Sequence, residues 1–293
     1  MNRSFCFSII FIVAFSFNFI LHVNTAKSED TFDNVDVWLD MAEDIDEAPG
    51  YEDPDDRLRN WAIEVGFVGG VSPDYEGSND YEFGMGPNFS ITWKDLIWFK
   101  GKSLGVNLLK RDGWTAGPLV AKSSSRDDDD NDKLDGLDDI DSSIEVGGFA
   151  KYRKKPFRFE LDIRHDPGSG HEGALIEAGA GFAFPFDKPL FVAMAQTTWA
   201  SDNYMESFFG ISTKESGRSG LKEFDADSGI KDIGIKLTSG FSFRENWKMG
   251  LSFQYKRLLG DAADSPIVDD EDQFLAGMSI MYSWGSKKLK KKP

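Results

Sequence analysis

A chain of 293 residues with 33 Lys and Arg against 50 Asp and Glu carries a formal charge of -17, which excludes nucleic acid as a partner because the phosphates would repel it. Mean hydropathy is -0.38, and after the first 26 residues no run approaches the ~20 apolar residues of a membrane helix. Hydropathy is blind to a transmembrane β-barrel, because half of each strand faces water.

Taken in order, the chain begins with Arg3 and a Phe- and Ile-rich run over residues 4–23, followed by the small residues Thr25 and Ala26. That pattern predicts a signal peptide over residues 1–26. The single cysteine, Cys6, leaves with it, so the mature chain has neither disulfides nor thiolate metal sites. Residues 27–60 form an acidic leader. Val35, Trp38, Leu39, Ala42 and Ile45 recur there at helical spacing, and Pro49, Gly50 and Pro54 end the pattern. The leader is expected to be a partly disordered periplasmic segment, with a docking helix or lumen plug as the functional alternative.

From Trp61 the period changes to two. Trp61, Ile63, Val65 and Phe67 alternate with Ala62, Glu64, Gly66 and Val68. Further strands are predicted over 81–93, 96–100, 104–110, 114–121, 144–153, 157–165, 174–186, 190–199, 230–243, 247–257 and 274–284. The last two show the pattern best: Trp247, Met249, Leu251, Phe253 and Tyr255 oppose Lys248, Gly250, Ser252, Gln254 and Lys256. Large apolar residues on one face and Gly, Ser or Lys on the other fit lipid outside and a wet lumen.

The connections alternate in length. Tight turns at 94–95, 111–112, 154–156, 187–189 and 244–246 are interleaved with long segments at 71–80, 123–143, 166–173, 200–229 and 258–273. The small Gly101-Lys102 turn is the exception on the long side. Outer-membrane barrels have short periplasmic turns, longer outer loops and, with an even strand count, both termini inside. The expected fold is therefore all-β: a transmembrane antiparallel β-barrel of about twelve strands over 61–284, ten being the alternative, with a Lys-rich tail at 285–293.

Two clusters invite chemistry. His165-Asp166-Pro167-Gly168-Ser169-Gly170-His171 offers a hydroxyl and two imidazoles at a strand end, the raw material of a lipid-directed hydrolase. Pro167, Gly168 and Gly170 are equally what a turn demands, and no third orienting group is evident. The acidic stretch 127–141 could hold calcium. With Gly136 at the sixth position of an EF-hand loop, however, the first and third fall on Asn131 and Lys133, so a solvated external loop is expected. No residue is assigned a catalytic, cofactor-binding or metal-ligating role. Ser72-Pro73-Asp74 and Asp264-Ser265-Pro266 lie on the same outer side and are expected to pack together over the mouth.

Four blocks resemble the MipA/OmpV family in order: Gly70-Val71-Ser72-Pro73-Asp74-Tyr75-Glu76-Gly77-Ser78; Arg126-Asp127 with Leu134-Asp135-Gly136-Leu137-Asp138-Asp139-Ile140-Asp141; Tyr204-Met205-Glu206-Ser207-Phe208-Phe209-Gly210 with Ser219-Gly220-Leu221; and Leu258-Leu259-Gly260-Asp261-Ala262-Ala263-Asp264-Ser265-Pro266-Ile267-Val268. The acidic leader and Lys-rich tail depart from the family pattern. The resemblance implies an outer-membrane protein of the Gram-negative type, in contact with outer-membrane lipid and lipopolysaccharide. One member is known as a scaffold joining a lytic murein transglycosylase to a peptidoglycan synthase; others are described as antigens or adhesins. No catalytic motif comes with it. A non-enzymatic envelope scaffold linked to peptidoglycan biosynthesis is thus the expected function, with a small-solute channel or surface adhesin as alternatives.

Overall fold

The computed structural model describes residues 60–168, 170–184, 190–244 and 246–285. The expected signal peptide, nearly all of the acidic leader, Ser169, Phe186 and the tail beyond Gly285 lie outside the described residues.

The strand segments are β1 (Trp61–Pro73), β2 (Tyr81–Trp93), β3 (Ile97–Lys100), β4 (Ser103–Val106), β5 (Leu109–Arg111), β6 (Trp114–Lys122), β7 (Ile144–Lys154), β8 (Phe157–His165), β9 (Ala174–Phe184), β10 (Leu190–Ala200), β11 (Gly229–Arg244), β12 (Trp247–Leu258) and β13 (Asp272–Gly285). Apart from β4 and β5, each pairs antiparallel with its neighbour in the chain, β1 pairs with β13, and β4 pairs with β6, so the sheet closes. β4 and β5 lie end to end along β6, Gly105 opposite Leu119 and Leu109 opposite Ala116. They are two halves of one wall strand, which makes the barrel twelve-stranded. Closure leaves no edge at the seam between first and last strands, the condition for a sheet in lipid.

The predicted strand over 104–110 is therefore broken, and Asn107 is the reason. Its side chain accepts from Trp98 Nε1 (3.1 Å) and donates to the Asp95 carbonyl (3.0 Å), while its own N–H goes to Leu96 O (2.7 Å). Those bonds pull the backbone out of the ladder at Asn107 and Leu108. Gly117 accommodates the kink, since a Cβ there would overlap the Val106 carbonyl oxygen.

Parity follows the sequence. Along β8, Phe157, Phe159, Leu161 and Ile163 face out and are exposed, whereas Arg158, Glu160, Asp162 and Arg164 face in. Trp61, Trp93, Trp114, Tyr152, Trp247, Tyr282 and Trp284 ring the short-turn end; Tyr81, Trp199, Tyr255 and Phe274 mark the long-loop end. Two aromatic girdles around an apolar band are the signature of an outer-membrane barrel.

Candidate functional site

The four motif blocks meet at the long-loop end as one folded lid. After β10 the chain turns into α1 (Asp202–Phe209), whose Tyr204, Met205, Phe208 and Phe209 share one face and are buried. They pack with Leu175 of β9, Ala200, Leu258 of β12, Ala226, Ala262 and Ile140. A second cluster joins Tyr75, Leu134, Leu137, Ile211 and Ile267. Tyr75 follows β1, Leu134 and Leu137 belong to the β6–β7 connection four wall strands away, and Ile211 belongs to the β10–β11 connection four strands further on. Loops rooted at thirds of the circumference can share a core only over the mouth, so the lid spans it.

Hydrogen bonds fix the pieces. Tyr75 Oη donates to Ile267 O (2.8 Å) and Ser265 Oγ to Phe209 O (2.6 Å). Arg126, bridged to Ile140 through backbone bonds, donates from its guanidinium to Phe208 O (2.7 Å). Burial lowers the Arg126 pKa, opposed by Glu215 and Asp130, and burial raises the Tyr75 pKa, with Asp269 adding to it. Gly77 holds φ 109, and the N–H groups of Asp269 and Asp270 donate to its carbonyl. The residues just after the Ser72 and Asp264 blocks thus meet, Tyr75 on Ile267 and Gly77 on Asp269 and Asp270. α2 (Thr213–Ser219) is closed at its start by a Ser212/Glu215 capping box and at its end by Gly220 at φ 78.

Beneath the lid, a charged layer joins it to the wall. His171 Nδ1 accepts from Gly173 N–H (3.0 Å), so Nε2 holds the proton that faces Glu145 Oε1 at 3.1 Å. Arg164 reaches the other Glu145 oxygen at 3.0 Å and also bonds Glu177. The rings of Tyr204 and Phe208 lie against His171, centroids 4.9 and 5.9 Å away. On the opposite flank the ladder between β10 and β11 shifts register at Thr198/Trp199, which turns both Lys231 and Asp232 inward. Lys231 pairs with Glu76 of the lid and lies 3.0 Å from Asp232 Oδ2. Sequence reasoning missed this bulge; the Lys231-Asp232 doublet, which breaks the apolar/polar alternation, was the available signal.

Below that layer a polar cavity of about 180 Å³ occupies the lumen, lined by Glu160, Asp162 and Glu177 together with Lys151, Lys236 and Lys256. Its volume suits a few waters or a very small solute.

Ser169 lies outside the described residues, and the two histidines of the hydrolase cluster are not brought together. His165 continues the outward face of β8 and its Nδ1 meets Gly173 O at 2.9 Å, whereas His171 is buried inside the wall. The stretch is a turn organised by Asp166, whose carboxylate accepts from the N–H groups of Gly168 (3.0 Å), Gly170 (2.8 Å) and Glu172 (3.0 Å). Burial opposes ionisation of Asp166, but these donors and Ser143 hold its carboxyl well below the usual range. The acidic stretch differs from the solvated loop expected: Leu134, Leu137 and Ile140 are buried in the lid core. Among the described residues, no group of three or more His, Cys, Asp or Glu side chains is arranged to hold a metal ion.

A family model described as MltA-interacting protein MipA matches residues 65–284. The MltA-interacting protein of Escherichia coli K12 is 31% identical over 212 residues, 72% of this chain and 79% of that one. Outer membrane protein OmpV of Vibrio cholerae is 25% identical over 238 residues, 76% of this chain and 86% of its own. Among solved structures, an outer membrane channel from Pseudomonas putida F1 is 11% identical with a TM-score of 0.39, covering 80% of this chain and 100% of that one. A FadL homologue from Pseudomonas aeruginosa is 9% identical with a TM-score of 0.36, covering 85% and 97%. Likeness at those scores says nothing about what this chain binds.

Proposed function

This chain belongs to the MltA-interacting protein MipA family, and from that premise we propose that it is a non-enzymatic outer-membrane scaffold that holds a periplasmic murein hydrolase or synthase near the membrane. The observation that carries the reading is the sealed mouth. The cluster of Tyr75, Leu134, Leu137, Ile211 and Ile267 draws loops spaced around the rim into one core over the lumen, which suits an anchor better than an open pore. The Escherichia coli relative is named for interaction with MltA, and a partner of that class is what we propose for this chain.

In this reading the long loops lie outside, both termini are periplasmic, and the leader over residues 27–60 makes the contact. The short-turn connections have two to five residues each between strand ends, while a standard interface draws about 20 to 30 residues per partner. Within the leader, Trp38 and Leu39 supply apolar anchors at helical spacing. A crosslinking pulldown from intact envelopes tests this. Deleting residues 27–56 is expected to leave heat-modifiable mobility unchanged and remove periplasmic partners; partners that survive the deletion would sink the scaffold reading.

The second reading, a small-solute channel, is favoured by one observation: the cavity of about 180 Å³ with carboxylates and ammonium groups on its walls. Planar-bilayer conductance separates the two. The scaffold reading expects no steady conductance from the intact protein, and the channel reading expects stepwise openings.

A further inference from the structure

The cavity in the lumen is built on two neighbouring rungs of the ladder. On the first, Glu160, Gly179, Gln196, Gly234 and Lys256 stand side by side on β8 to β12, all facing inward. On the next, one step nearer the short turns, Gly181, Met194, Lys236 and Gln254 do the same. Gly179 and Gly234 carry no side chain, so Gln196 projects with an open position on each side. At Gly234 that opening is fixed, because a Cβ there would overlap the Tyr255 carbonyl oxygen. Gln196, Gln254 and Lys256 all line the cavity of about 180 Å³ and are half-buried.

Among the described residues, none of these three side chains makes a hydrogen bond or an ion pair. Glu177 and Asp232 act on Lys256 through space, but each is matched elsewhere: Glu177 bonds Arg164, and Asp232 lies 3.0 Å from Lys231. On the far wall Lys248 pairs with Glu64 at 2.6 Å. Two amides and an ammonium that converge on a cavity, in a lumen whose other charges are paired, are the polar contacts of a small-molecule site. The way in is from the short-turn end. A second void of about 20 Å³, room for about one water, is lined by Arg153, Arg158 and Thr238 and shares Glu160, Met194 and Lys236 with the cavity. Three cations against one carboxylate make that neck attractive to anions, and long flexible side chains form it. The lid covers the opposite end.

We propose that this cavity binds a short-chain monocarboxylate that enters through the cationic neck. The carboxylate lies against the Lys256 ammonium and accepts from the amide N–H groups of Gln196 and Gln254. The amide oxygens are left to accept from a hydroxyl on the same molecule. Four cations and three carboxylates line the cavity, so the lining carries one positive charge in excess. That excess suits a single negative charge, and Glu160, Asp162 and Glu177 would repel a second. Phosphate and dicarboxylates are disfavoured on that ground, and the volume leaves no room for a sugar chain. The proposal rests on the same cavity as the small-solute reading, but binding needs neither conduction nor a periplasmic partner. A silent bilayer would refute conduction and leave the site intact.

The test uses the mature protein in lipid nanodiscs with its methionine methyl groups labelled for NMR, because Met194 lines both voids. Lactate is expected to shift the Met194 methyl resonance saturably, while Met205 in the lid and Met281 on β13 stay in place. Lactamide, which lacks the charge, is expected to leave Met194 unmoved, and malonate to bind more weakly than lactate. Lys256→Gln is expected to weaken lactate binding roughly tenfold, the loss of one charged hydrogen bond, with heat-modifiable mobility retained. Lys256→Arg keeps the charge and is expected to retain most of the binding. If Lys256→Gln fails to assemble, Gln196→Leu serves instead, with the same expected direction. Equal shifts with lactamide, binding unchanged in an assembled variant, or no saturable shift, as expected of a cavity that takes water alone, would overturn the site. Lactate binding that emerges only after residues 27–56 are deleted would do so too, since the leader's own carboxylates would then be the occupant.

Discussion

At the long-loop end Phe209, Met205, Leu134 and Ile267 are as completely buried as any residue of a soluble core, and side-chain bonds cross between connections far apart in the chain. At the other end β7 and β8 are joined by Lys155-Pro156 alone, and β1 runs beside β2 as one long ladder, Trp61 opposite Trp93 and Pro73 opposite Tyr81. The wall is thus specified by alternation and backbone pairing, with only small clusters inside it, Trp98, Leu119, Ala121 and Phe149 in one and Ala183, Val192 and Met194 in another. The lid is specified by packing, like a small globular domain seated on the rim. The difference teaches that the two parts should fail differently, because one kind of substitution attacks a ladder and the other a core.

The largest expected effect is in the lid. Phe209→Ala removes a fully buried ring from the centre of the larger cluster, at a cost of about 3–5 kcal/mol. The lid has no ladder to fall back on, so protease should cut within residues 210–228 while the barrel keeps its heat-modifiable mobility. Loss of barrel mobility instead would mean that lid and wall fold as one unit, and the comparison would collapse. The wall should behave in the opposite way. Arg at Phe182 faces lipid near the short-turn end, opposite Phe157, and is expected to impair assembly by up to about 1 kcal/mol. Arg at Gly179, on the inner face of the same strand, meets only the movable end of Met194 and should cost less in insertion. Equal assembly yields for the two variants would show that the two faces are not distinguished by lipid.

How much of this was legible in the sequence follows the same division. The walls were legible because period two survives wherever one face meets lipid: of the twelve wall strands 81–93 and 157–165 match end to end, nine needed only small changes at their ends, and 104–110 was right in place but wrong in continuity. Nothing in Leu104, Val106, Leu108 and Lys110 betrays the break, since it comes from the bonds that the Asn107 side chain makes with Trp98 and Asp95. The lid was legible as four motif blocks but not as a core. Leu134, Leu137 and Ile140 recur every three residues, and the surrounding carboxylates hid that signal in a stretch whose charge suggested solvent. Opposite placement of His165 and His171 depends on where β8 ends and the turn around Asp166 begins, a boundary that alternation alone cannot set.

A gentler probe of the lid is the hydroxyl that ties α1 to the β12–β13 connection. Ser265→Ala leaves the Phe209 carbonyl without its donor and should cost about 1 kcal/mol, with no change in the wall. Hydrogen exchange at the end of α1 is the measurement: faster exchange there, with β11 and β12 unaffected, sharpens the separation. Exchange that speeds up equally in the strands would blur it.

The smallest effect concerns the turn between β8 and β9, where the wall hands over to the lid. Asp166 titrates below the ordinary carboxyl range because, although burial opposes it, three backbone N–H groups and Ser143 stabilise the carboxylate. Its folded-state pKa is therefore lower than its unfolded value of about 3.9, so the carboxylate's contribution to stability is present above that value and is lost as pH falls through the folded pKa. The wall depends mainly on uncharged ladder bonds, so acid should loosen this turn first. Proteolysis by an acid-active protease between pH 5 and 2 is expected to show cleavage in residues 166–173 before any loss of barrel mobility. Asp166→Asn keeps a carbonyl oxygen for one or two of the donors but loses the charge, so the turn should be looser at pH 7 and its cleavage should no longer rise as acid is added. A variant that matched the parent across the whole range would mean that the Asp166 carboxylate does not hold the turn, and that the boundary between wall and lid is set by the His171 contacts with Tyr204 and Phe208 instead.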